Sequence, residues 1–174
     1  MQTLKLKLWR GSTVHEQIVF EKVADDLLML TIYFGTEGSD DVPKYYRLLG
    51  DQANPPLEIG IHQNKGSIQS ITAFIENVNL SKESKPFTIM QEETGEVIFE
   101  DFFNEKNFID IDGQYYFLLF NNTLYCLFDT THNNPKLVLN QRTGFIFNET
   151  NCLIGFCVNA LQKEESELLG ILEK

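Results

Sequence analysis

The sequence predicts an α+β fold that is mainly β, built from antiparallel hairpins and meanders with one C-terminal helix. Three observations predict it. Fourteen Phe and six Tyr accompany few amphipathic helical stretches, and aromatic rings pack well across a pleated face. Short runs alternate apolar and polar residues with a period of two. Glycine and asparagine turn signals punctuate the chain between those runs, as hairpins require.

With 174 residues, 43% hydrophobic and 22% charged, the chain is long enough to bury a core without disulfides or metals. We expect one domain over 1–174, with two similar halves, 1–86 and 87–174, as a further expectation within it. The first strand is Leu4 to Trp9, whose lysines Lys5 and Lys7 suit an edge where charge discourages pairing with another chain. Val14 to Phe20 follows, then a break at Asp25-Asp26. Leu27 to Phe34 is a continuous apolar run, expected to be a central strand buried on both faces. Lys44 to Leu49 is ambiguous between strand and helical turn.

Asn54 to Phe74 reads as strand, glycine turn, strand, with Gly66 where a left-handed residue is needed and a bulge expected past it. Asn134 to Phe156 has the same appearance around Gly144, which motivates the two-halves expectation. Further turns are expected at Glu93-Thr94-Gly95, Asp112-Gly113 and Asn121-Asn122, the last two flanking the runs YYFLLF and TLYCLF. The C-terminal helix is expected to be capped by Asn159, with Gln162 three residues on. Leu161, Leu168 and Leu172 would form its apolar stripe, with Glu164, Glu165 and Glu167 in water.

The chemistry-bearing residues form no catalytic or cofactor signature. His15, His62 and His132 lie in no metal-ligand spacing, and His62 is expected to be exposed beside its turn. Cys126, Cys152 and Cys157 sit in apolar runs and read as free thiols of a reducing cytoplasm. Asp110, Asp112 and Asp129 offer carboxylates for a divalent ion, but the glycine directly after Asp112 breaks the calcium-loop pattern. No catalytic residue, cofactor or metal is therefore assigned, and the expectation is a protein that is not an enzyme.

A net charge of −11 repels phosphate backbones, so nucleic acid is a poor partner; no run has the length of a membrane span. Between Glu92 and Asp112, eight carboxylates face Lys106 alone, and Phe99, Phe102, Phe103 and Phe108 are interleaved with them. Acids that steer encounter beside rings that fill pockets suit a basic protein partner. The candidate partner-binding residues are Glu96, Glu100, Asp101, Phe102, Phe103, Glu105, Asp110 and Asp112. The alternatives are an adaptor whose acidic surface serves solubility only, and a divalent-ion-dependent enzyme or ligand binder using Asp110, Asp112 and Asp129.

The segment LEIGI, a polar glycine turn and the return strand SIQSIT, over residues 57–72, resembles small bacterial immunity-type (antitoxin) proteins of polymorphic toxin loci. The resemblance implies an intracellular inhibitor that binds a basic toxin domain and does no chemistry. It carries over no site residues.

Overall fold

The computed structural model describes residues 4–35, 42–76, 87–100, 105–128 and 134–172. In chain order the strands are β1 (Leu6–Arg10), β2 (Glu16–Ala24), β3 (Leu27–Phe34), β4 (Lys44–Leu48), β5 (Leu57–Ile61), β6 (Ile68–Glu76) and β7 (Gln91–Thr94). They continue as β8 (Glu96–Phe99), β9 (Phe108–Ile111), β10 (Tyr116–Phe120), β11 (Thr123–Leu127), β12 (Lys136–Leu139), β13 (Thr143–Phe147) and β14 (Leu153–Val158), before the helix α1 (Lys163–Ile171). The fold is mainly β with a C-terminal helix, as the alternating runs predict.

Two six-stranded sheets have the orders β2-β3-β6-β5-β4-β9 and β10-β11-β14-β13-β12-β7, and β1 pairs with β8 in a separate ribbon. The orders are the same device used twice. A hairpin is followed by a three-strand meander whose last strand returns beside the hairpin, and a parallel edge strand completes each sheet. The register irregularities coincide as well: one falls between Gly60 and Ile61 of β5, the other between Ile146 and Phe147 of β13.

This topology revises the correspondence read from sequence. The hairpin β5–β6 matches β13–β14 by position, whereas the similar-looking Asn134 to Phe156 stretch runs through β12 and β13 into β14. Hairpins of like chemistry look alike wherever they stand. Gly144 accordingly lies inside β13 without a left-handed backbone; a side chain there would meet Leu137 Cδ1 at 2.7 Å and Cys157 Sγ at 2.9 Å.

Inward residues of both sheets form one core. Leu28, Leu30, Ile32, Leu57, Ile59, Ile71 and Ile75 come from the first; Phe117, Leu124, Cys126, Phe145, Phe147 and Phe156 come from the second. Phe34 meets Phe145 across it at 5.6 Å. Burial of this kind contributes about 25 cal/mol per Å² of apolar surface removed from water. The expectation for Leu27 to Phe34 is corrected here. Only one face of β3 is buried throughout, and Tyr33 on the other is 51% exposed, because the first sheet has nothing among the described residues packed over its outer side there.

Three of the expected turns have different outcomes. Asn121-Asn122 is a two-residue hairpin with φ of 45° and 59°, the left-handed pair that a type I′ turn needs. Asp112-Gly113 joins no hairpin, since β9 belongs to the first sheet and β10 to the second. Glu93-Thr94-Gly95 likewise links β7 to β8, which are not partners.

The helix starts later than its sequence suggests. Gln162 is the N-cap in a capping box with Glu165, while the amide of Asn159 donates to the Arg142 carbonyl. Glu165 is not solvated: it is 8% exposed and receives both terminal nitrogens of Arg142, one at 3.1 Å. Arg142 also donates to the carbonyls of Asn159 and Ala160. The buried carboxylate of Glu16 accepts from the Asn140 amide (3.0 Å) and from the backbone N–H groups of Arg142 (2.5 Å) and Thr143 (3.1 Å). Polar side chains thus tie β2, the β12–β13 turn and α1 together.

Candidate functional site

The two sheets present unlike outer faces. On the second, Leu127, Leu137, Ile146, Ile154 and Cys157 form a buried cluster covered in part by Phe87 and Ile89, with Phe87 edge-on to Tyr125 at 6.1 Å. The first sheet keeps its outer face open. Strand pairing lines up Phe108, Tyr45, Gly60, Ser70, Tyr33 and Gln17 as one row across all six strands. Phe108 is 54% and Tyr33 51% exposed, with the small residues Gly60 and Ser70 between Tyr45 and Tyr33. Gly60 is closely covered: a Cβ there would lie 2.6 Å from Ser70 Oγ, 3.4 Å from the Tyr45 ring and 3.5 Å from Pro43 Cβ.

The next row is polar: Asp110, Arg47, Glu58, Thr72, Thr31 and Val19. Arg47 clamps Asp110 in two bonds, Nε to Oδ1 at 2.6 Å and Nη2 to Oδ2 at 3.0 Å. Its guanidinium also lies 4.8 Å from the centre of the Phe108 ring. The hydrogen bond to Asp110 raises the Arg47 pKa further above its ordinary range. Glu21 and Glu76 stand on the same face, so carboxylates outnumber the single guanidinium in the rows and at their ends. An exposed ring row flanked by fixed charge is suited to binding a surface of opposite sign.

The described members of the predicted acidic set lie on several elements. Asp110 belongs to the open face just described. Asp112 is exposed in the link from β9 to β10, and Glu105 is exposed with φ of 68°. Glu96 is half-buried on β8, and Glu100 is exposed just beyond it, its N–H donating to Lys5. Glu92 and Glu93 sit on β7, in the other sheet. Asp101, Phe102 and Phe103 lie outside the described residues, as does Asp129.

Tyr33, Tyr45, Arg47 and Glu58 escape sequence reasoning because they join Phe108 and Asp110 only through long-range pairing. Period-two alternation in each strand was the one signal, and it marks a face without saying which faces adjoin.

The divalent-ion reading meets a specific obstacle, since both Asp110 oxygens are engaged by Arg47. Among the described residues no group of three His, Cys, Asp or Glu is arranged to hold a metal. His62 is corrected from exposed to 7% exposed; its Nδ1 accepts from the N–H groups of Asn64 (3.2 Å) and Lys65 (3.3 Å). The cysteines are free, with Cys126 and Cys157 buried and Cys152 half-buried. Burial pushes the Cys126 thiol well above its ordinary range and Cys157 up to about 12, the latter despite hydrogen bonds from Gly144 and Asn159. Among the described residues no helix is long and apolar enough to cross a membrane.

Comparison with protein-family models and with curated proteins finds no match.

Proposed function

We propose that this is a non-enzymatic binding protein that takes a basic protein partner on the outer face of its first sheet, in the manner of a bacterial immunity protein. One observation carries the reading: the aromatic row of Phe108, Tyr45 and Tyr33 is open on this sheet and flanked by Asp110, Glu58, Glu21 and Glu76. Rings give buried anchors to a partner, and carboxylates steer a cationic one. The net charge of −11 acts in the same direction at long range. Such an inhibitor acts in the cytoplasm, and three unbridged cysteines accord with a reducing compartment.

The test uses the basic protein encoded beside this one, with association followed by stopped-flow mixing at two salt concentrations. Glu21→Lys with Glu58→Lys should slow association strongly and flatten its salt dependence, since screening lengths fall from roughly 30 Å at 0.01 M to about 8 Å at physiological strength. Tyr33→Ala with Phe108→Ala should instead speed dissociation, by about 2 kcal/mol of lost affinity, with the melting temperature unchanged. An association rate indifferent to the charge reversals would remove the surface from consideration.

A further inference from the structure

The second sheet displays how an outer face of this strand order is covered. From it we propose that the first sheet's outer face seats an extended segment of its partner, in which an aromatic residue is followed two positions later by lysine or arginine. The proposal rests on the binding-protein reading and names the element that the partner presents.

The cover of the second sheet is the chain's own segment 87–90. Phe87 and Ile89 are half-buried while Thr88 and Met90 are exposed, the period of two of an extended chain lying flat. Phe87 stands edge-on to Tyr125 of β11, and both Phe87 and Ile89 pack against the cluster of Leu127, Leu137 and Ile146. Met90 N–H then donates to the Pro135 carbonyl at 3.1 Å, just ahead of β12. The segment thus crosses from β11 toward β12, over the two strands between them. It is held by its side chains, without a ladder of backbone bonds to the strands that it crosses.

The shared strand order and the two matching register irregularities fix which residues correspond. Tyr33, Gly60 and Tyr45 stand in the first sheet where Leu127, Ile146 and Leu137 stand in the second. The row that seats Phe87 and Ile89 is therefore the counterpart of the open aromatic row. Tyr33, 51% exposed, offers a partner's ring the edge contact that Tyr125 gives Phe87. The adjoining row differs in polarity. Where the second sheet has Cys157, Gly144 and Leu139, the first has Thr72, Glu58 and Arg47, and Arg47 is already clamped by Asp110. An aliphatic residue in the place of Ile89 would cover the Glu58 carboxylate without pairing it, at a cost that a lysine or arginine avoids. One sheet thus takes aromatic-x-aliphatic from its own chain, and the other is suited to aromatic-x-basic from outside.

The probe is a peptide with the sequence of residues 85–91, KPFTIMQ, carrying Ile89→Lys. It is titrated into the full chain at physiological salt, with backbone amide resonances followed by NMR. Saturable shifts are expected at residues 31–33, 58–60 and 70–72, half-complete at about 1 mM peptide. Binding should weaken about tenfold when the peptide also carries Phe87→Ala, and about threefold when it keeps its isoleucine. Tyr33→Ala in the protein should weaken it as well, with the melting temperature unchanged because that ring is exposed. Equal binding of a scrambled peptide of the same charge overturns the proposal, since net charge alone then accounts for the attraction. Shifts confined to Tyr125, Leu137 and Ile146 overturn it too, because the peptide is then competing with residues 87–90 on the second sheet. So does the absence of saturable shifts up to about 10 mM. The charge reversals at Glu21 and Glu58, measured on the basic partner itself, test the underlying reading separately. A salt-dependent association that survives a silent peptide removes the extended segment and leaves the binding face standing.

Discussion

At the residue scale, burial decides what each ionisable group can do. Cys126, Cys157 and the phenols of Tyr46 and Tyr115 are all held protonated by removal from water; Cys157, Tyr46 and Tyr115 are each pushed up to about 12. Their unfolded values lie lower, at 9.0 for a thiol and 10.0 for a phenol. An acid whose folded pKa is raised contributes stability that is full below the unfolded pKa and lost as pH rises through the folded one. Urea denaturation midpoints should therefore hold level to about pH 9 and fall between about 9 and 12. A level profile across that window would contradict the burial of these groups. In the native protein an alkylating reagent should modify the half-buried Cys152 first, with Cys126 and Cys157 reacting only on unfolding. The cysteines' burial was legible from the apolar runs around them. The burial of His62 was not, because the imidazole is drawn inward by two backbone N–H groups of its own turn.

At the element scale, the helix shows where local pattern stops being informative. Its apolar stripe was readable only in part: Leu161 and Leu172 are buried, Leu168 is only partly so, and the fully buried Leu169 was not among the expected positions. The burial of Glu165 depends on Arg142, twenty-three residues earlier, and no local spacing announces it. Arg142→Ala should cost about 3 kcal/mol, since it leaves a buried carboxylate and two backbone carbonyls without their donor. Arg142→Lys should restore only part of this, because an ammonium cannot make the two parallel bonds of a guanidinium. Chemical denaturation of the two variants measures both effects, and equal stability to the parent would show the latch to be dispensable. Strand turns divide in the same way. Asn121-Asn122 was legible because a two-residue left-handed turn has its own chemistry, whereas Asp112-Gly113 carries similar residues across a gap between sheets.

At the scale of the whole molecule, the repeated strand order is the central feature, and sequence displayed it one strand out of register. Matching residues share hydrophobicity at the same face and little else; Ile59 and Phe145, or Ile71 and Phe156, occupy like places in the two sheets. The halves are not independent. Residues 1–86 supply β1, which pairs with β8, and β4, which pairs with β9, and the core draws on both sheets. Expressed separately, 1–86 should lack stable structure by circular dichroism, and mixing it with 87–174 should restore the native spectrum. A cooperative thermal transition in 1–86 alone would show that the shared ribbon and core are not needed.

The β1–β8 ribbon has a consequence for how the chain is made. During synthesis β1 leaves the ribosome long before β8 exists to pair with it, and at roughly 5–20 residues per second the wait lasts several seconds. Throughout that interval it is an unsatisfied strand beside a growing sheet. Its alternation of Leu4, Leu6 and Leu8 with Lys5 and Lys7 is what such a strand requires. Leu4 and Leu6 are ready for the core, whereas Leu8, past a register irregularity, stays exposed; the lysines keep nascent neighbours from zipping onto the strand. The last residues to secure it come later still, when Leu6 donates to the Asn151 carbonyl in the β13–β14 tip and the Leu4 carbonyl accepts from Leu153 at the start of β14. The first strand translated is thus among the last parts of the fold to be fastened.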